Sequence, residues 1–210
     1  MNMNKKELLQ EVKAYRERKK SLINYLSIRT ENELISRRST YQFTISSYNY
    51  EKCRVRHTEG AGIYLFEAEF SNIYKSWELS YAGSEKDKMI SWFSLLKQLW
   101  GSVEFSPLLY LNRAKEHYSY INEFNRYKNG FIPLYLGKSK NVFERIQTHY
   151  DGFYDGTYGL RLKERIGFRD LTLQVSSSAL WELGADDLYP LVSEVEKELR
   201  RKMNPISGKQ

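Results

Sequence analysis

Two tyrosine-bearing triplets, Gly62-Ile63-Tyr64 and Tyr135-Leu136-Gly137, stand far apart in the chain, and the second runs on through Lys138 and Ser139 to Arg145 and His149. A glutamate, Glu196, lies nine residues ahead of Pro205. These residue types suit phosphate chemistry. A guanidinium grips a phosphate through a planar fork that lysine cannot copy. A carboxylate oxygen suits a hard divalent cation, and Mg²⁺ takes one or two protein carboxylates while keeping several waters. Phenol and imidazole carry protons, although a phenol of pKa about 10 is ionised to only about a thousandth at neutral pH. Hydrolysis of a phosphodiester needs an activated water, charge neutralisation on the phosphate and a stabilised leaving group.

The helices that must carry these groups can be read locally. A helix is predicted to start near Asn141, because Asn141 and Glu144 have the spacing of a capping box. Val142, Phe143, Ile146 and Tyr150 form its apolar stripe. Arg145 and His149 are four apart, so they share a face beside that stripe. Both can reach a cleft at the core margin; Arg145 can equally lay its stem on the core and leave its head in water. The last helix is predicted over about 188–203, stopped by Pro205, with Leu188, Leu191, Val192, Val195, Leu199 and Met203 inward. At about 100° per residue, Glu196 falls nearest the edge of that face, narrowly ahead of Glu198. A lone carboxylate there most often forms a salt bridge.

In this order and spacing the motifs resemble the GIY-YIG nuclease superfamily. They are closest to its restriction-enzyme-like members, which carry a histidine one turn after the arginine. Leu136 replaces the usual isoleucine, and Arg145 stands ten residues after Tyr135. The resemblance covers about 62–70 and 131–208. It implies a metal-dependent endonuclease that hydrolyses DNA phosphodiester bonds, in a restriction or phage-defence setting, with RNA left open as a substrate. It implies Tyr64 as general base, and Tyr135 sharing that role or positioning the water. Arg145 would pair with the phosphate, and His149 would relay a proton or hold a tyrosine. Glu196 would be the sole protein ligand of Mg²⁺ or Mn²⁺. Lys138 would touch a phosphate or be a surface lysine. The alternative is a catalytically inactive module of the same fold that binds nucleic acid within a larger complex. Two departures from the family pattern stand out. Tyr135 follows Tyr64 by 71 residues, which requires an insert, and Gly208 occupies the place where many members carry an asparagine.

The remaining elements give an α+β fold: a small central sheet flanked by helices, with short strands interleaved among longer helices. Residues 1–60 form a basic extension, with a helix over 5–28 whose stripe is Leu8, Val12, Tyr15, Leu22 and Leu26. A β-hairpin is expected to follow, from TYQFTIS at 40–46 and CRVRH at 53–57, which alternate in polarity. Such a helix packs on its own domain or pairs two copies of the chain. The nuclease-like core spans 61–210, interrupted by a helical insert at about 71–130 that is rich enough in Trp and Tyr for a small core. Strands are expected at 62–70, 131–136 and 171–175, with Pro133 marking an edge or a bulge. Within the insert, helices are expected at 85–100, between Ser84 and Gly101, and at 113–127.

Composition narrows the classes. A chain of 210 residues can bury a core without disulfides, and one cysteine, Cys53, excludes a disulfide framework and a Cys-only metal site. His57, His117 and His149 are too few for a His-rich zinc centre. No apolar run is long enough to span a membrane, and the N-terminus lacks a signal-peptide core, so a reduced, cytoplasmic setting without a membrane partner is expected. The charge of +7 is concentrated: residues 1–60 hold 13 basic and 7 acidic residues. A basic segment on a nearly neutral body suits a polyanion such as DNA. A cut through both strands with one site per chain would favour a homodimer.

Overall fold

A computed structural model describes residues 4–36, 39–57, 59–80, 83–103, 107–110, 112–113, 130–152, 159–179 and 185–208. Most of the helix predicted over 113–127, with His117, and the side chain of Leu188 lie outside the described residues.

The fold is α+β. Its centre is a four-stranded, wholly antiparallel sheet in the order β1-β4-β2-β3, from β1 (Thr40–Phe43), β2 (Gly62–Glu69), β3 (Phe131–Ser139) and β4 (Leu173–Ala179). Six α-helices are described: α1 (Lys5–Ser36), α2 (Tyr50–Arg54), α3 (Ser71–Ser80), α4 (Glu85–Trp100), α5 (Val142–Asp151) and α6 (Ala185–Met203). Alternation along each strand divides the core. Tyr64, Phe66, Ala68 and Val175 face α5, while Ile63, Leu65 and Leu136 face α1 and α6. Among the described residues, no helix is long and apolar enough to cross a membrane.

Local signals start the helices where expected. Ser84 accepts from the Asp87 N–H at the start of α4, and the Asn141 side chain accepts from the Glu144 N–H at the start of α5. Each bond satisfies one of the donors that a first helical turn leaves open. Gly101 ends α4 at φ 68°. Pro133 sits on the edge strand β3, where the register with β2 shifts between Phe66 and Glu67.

The hairpin expected in the first 60 residues does not form. Asn49 caps a helical turn, accepting from the Lys52 N–H, so Cys53 and Arg54 belong to α2. β1 pairs instead with β4, matching Thr40 with Ser176 and Phe43 with Leu173. The stripe on α1 is also displaced. Leu26, Ser27, Thr30 and Leu34 are its buried residues, with Ile23 partly buried beside them. Leu8, Val12, Tyr15 and Leu22 are exposed. Lys19 pairs with Glu194 and Lys202 with Glu31, so α1 and α6 run in the same direction. Residues 5–22 extend over about 27 Å at the usual helical rise.

The described aromatic residues of the insert pack into the main core. Tyr74, Trp77, Trp92, Leu96 and Trp100 join the cluster that holds Phe70, Phe168 and the sheet. Phe70 and Trp100 both meet Phe168 edge-on, with centroids 5.6 and 5.2 Å away. The insert also holds the C-terminal segment. The Tyr110 N–H donates to the Ile206 carbonyl, and Arg113 Nη1 donates to the carbonyls of Pro205 and Gly208.

Candidate active site around the edge of β3

The two triplets lie side by side. Tyr64 opposes Gly137 across β2 and β3, and the rings of Tyr64 and Tyr135 stack with centroids 6.3 Å apart. Gly137 makes this possible. A Cβ at that position would lie 2.4 Å from Tyr64 Oη, 2.6 Å from its Cζ and 2.8 Å from Tyr135 Cε1. The glycine therefore leaves the space that the phenol fills. Gly137→Ala is expected to cost about 2–3 kcal/mol by overpacking, read as a lower denaturant midpoint. Adding Tyr64→Phe removes the atom at 2.4 Å and should restore part of that stability. An additive double mutant would exclude this contact as the cause.

α5 brings His149 to the same place. His149 lies 4.8 Å from Tyr135 and 5.4 Å from Tyr64, centroid to centroid. Its tautomer is fixed by the backbone. The Leu160 N–H donates to His149 Nδ1 at 3.0 Å, so Nδ1 carries no proton. Burial holds the imidazole well below its usual range, and Arg145 and Arg200 push it the same way, so the ring is neutral at pH 7. The ring proton is then on Nε2, and Nε2–H donates to Tyr64 Oη at 2.9 Å. Of the two roles expected for His149, holding the tyrosine fits this arrangement. Accepting a proton from it does not.

Burial is also the largest influence on Tyr64, raising its phenol well above the ordinary range. Tyr135 adds to the rise, Arg145 opposes it by charge and by a hydrogen bond, and Glu196 raises it further. Tyr64 Oη thus receives donors from both His149 and Arg145. Those donors favour a phenolate, and burial opposes it.

Glu196 approaches from α6, on the other face of the sheet. Its side chain is only 16% exposed; Glu198 pairs with Arg201 instead. Arg200 holds Glu196 Oε1 through Nε at 3.1 Å and Nη2 at 3.0 Å. Lys138 Nζ lies 3.7 Å from Oε2 and donates to Ser193. Lys138 therefore sits beside Glu196 at the site. Among the described residues no cluster of three or more His, Cys, Asp or Glu could hold a metal. The donor set still fits one hydrated Mg²⁺ or Mn²⁺, because among the described residues the contact of Oε2 is the long one with Lys138, and such an ion takes further oxygens from water and phosphate.

Two contributors were not visible in the sequence, and for a third, Gly208, the residue was visible but the reason for it was not. Arg200 lies with its guanidinium carbon 5.3 Å from the Tyr135 ring centre. Its i, i+4 spacing from Glu196 was the available signal, but this is also the commonest helix surface pair. The Leu160 N–H is a backbone group from a distant loop. Gly208 has φ 91°, and a Cβ there would come 2.8 Å from Tyr135 Cε2. No asparagine fits on that backbone without displacing the tyrosine ring.

No protein-family model, curated protein or solved structure matches the chain.

Proposed function

We propose that the chain is a GIY-YIG-type, metal-dependent endonuclease that hydrolyses DNA phosphodiester bonds. The observation that carries this reading is the convergence of Tyr64, Tyr135, Arg145, His149 and Glu196 around the edge of β3. They come from two strands and two helices widely separated in sequence. Arg145 pairs with the scissile phosphate through its guanidinium fork. Tyr64 can take the proton of the attacking water only after its own phenol proton has passed to bulk water; the donors from His149 and Arg145 lower the cost of the resulting charge, against burial. Tyr135, stacked beside it, positions the water. Glu196 would hold the divalent cation, and such an ion would supply charge neutralisation for the phosphate and the leaving oxygen. Lys138 offers a second positive group to the DNA backbone. Restriction or phage defence is the setting that the resemblance suggests.

A second reading is a module that binds nucleic acid without cutting it. The ion pairs of Glu196 with Arg200 and Lys138 favour it, since they balance the charge of the carboxylate without a metal. Supercoiled plasmid separates the two. The endonuclease should nick it in Mg²⁺ or Mn²⁺ and stop in EDTA. Binding without cleavage in either metal would sink the first reading and support the second. Absence of binding to both DNA and RNA would sink both.

A further inference from the structure

Arg200 is more constrained than a surface partner of Glu196 needs to be. Its side chain is 13% exposed. Two of its nitrogens, Nε and Nη2, go to the same carboxylate oxygen, Glu196 Oε1. The third, Nη1, lies against Gly208, 3.3 Å from where a Cβ would stand. The guanidinium also lies against the ring of Tyr135. One oxygen of Glu196 is thus committed. The other faces Lys138 at 3.7 Å, beyond hydrogen-bond reach.

We propose that Arg200 is a positioning residue that limits Glu196 to one available oxygen and keeps a divalent cation from settling there until a phosphate arrives. This inference rests on the endonuclease reading. Its physical basis is charge. Arg200 and Lys138 flank the carboxylate, and Arg145 stands at Tyr64 nearby. A cation alone enters a positive neighbourhood, whereas a phosphodiester brings the negative charge that admits it. A glutamate offering both oxygens, with that positive charge removed, would bind the ion more tightly in the absence of substrate. The contact with Tyr135 adds a second effect, since it fixes the carboxylate relative to the tyrosines. Lysine at position 200 would keep the charge but lose the fork and the planar stack.

The test measures Mn²⁺ binding to the full chain without DNA, by the electron paramagnetic resonance of free Mn²⁺, alongside plasmid nicking in Mg²⁺. Arg200→Gln should bind Mn²⁺ about ten-fold more tightly than the wild type, because a positive charge beside the carboxylate is gone. Its nicking at saturating Mg²⁺ should fall. Arg200→Lys should keep the weak Mn²⁺ binding of the wild type and also nick poorly. A purely structural role would lower the melting temperature and leave the Mn²⁺ affinity of the folded protein unchanged. Unchanged or weaker Mn²⁺ binding by folded Arg200→Gln overturns the inference while wild-type nicking still supports the function. If Arg200→Gln does not fold, undiminished nicking by Arg200→Lys overturns it. A wild type that fails to nick removes the endonuclease reading, and this inference with it.

Discussion

Glu196→Ala is expected to abolish metal-dependent nicking while DNA binding persists. On the endonuclease reading, the substitution removes the carboxylate that would hold the divalent cation. Loss of that charge neutralisation should slow turnover by at least about a thousand-fold, equivalent to about 4 kcal/mol of transition-state stabilisation. The fold should survive. Glu196 sits on the flank of α6 beside Val195 and Leu199, which carry the packing of that helix. The Arg200 pair is only 13% and 16% exposed, so leaving that guanidinium without its carboxylate should cost about 1–3 kcal/mol, which lowers the melting temperature without unfolding the chain. Binding should hold or tighten, because removing the carboxylate makes the site more positive toward phosphate. Nicking time courses, gel shifts and a thermal melt on one preparation would decide it. Full activity in the variant would remove Glu196 from the mechanism.

The largest loss of stability is expected from a residue that does no chemistry. Arg165 is buried between the insert and the core. It donates to the carbonyls of Leu160 at 3.1 Å, Trp100 at 2.6 Å and Gly101 at 3.2 Å, and its guanidinium lies 3.8 Å from the centre of a Trp100 ring. Burial lowers it to about 10, so it stays charged at neutral pH. Arg165→Ala would orphan these carbonyls at about 1–3 kcal/mol for each that water cannot reach. A total of about 3–4 kcal/mol is expected, measured as a shift in denaturant midpoint at constant slope. The effect should also reach the site. Arg165 fixes the Leu160 carbonyl, and the Leu160 N–H fixes the tautomer of His149. The chemical shifts of His149 should therefore change in any population that remains folded. A variant as stable as the wild type would show that water replaces the guanidinium.

What the sequence revealed of this fold was what its neighbours in sequence decide. Helix α4 was readable because Ser84 and Gly101 act within one turn of its ends. The start of α5 was readable for the same reason, through Asn141. The stripe of α1 was not, because which residues it buries depends on α6, some 170 positions later. The segment CRVRH alternates like a strand, yet Asn49 caps a helical turn there, and β1 finds its partner in β4. Isolated alternation over five residues does not say which strand, if any, will pair with it. Likewise, the triplet spacings brought out the tyrosines, the arginine and the histidine. The choice of Glu196 over Glu198 rested on a small difference in angle. The burial of Glu196 and its pairing with Arg200 depend on the edge of β3, which no helical periodicity contains.

The guarded rim of β3 carries a consequence for how the chain must be handled. Its bulge and Pro133 spoil it as a template, and the N–H groups of Ile206 and Ser207 occupy the carbonyls of Pro133 and Leu134. The opposite rim, β1, is only four residues long. Native protein therefore offers little for strand-to-strand aggregation. During refolding the guard arrives from more than 70 positions away, and until it docks the rim is bare. Dilute, slow renaturation should accordingly recover far more soluble material than a concentrated quench.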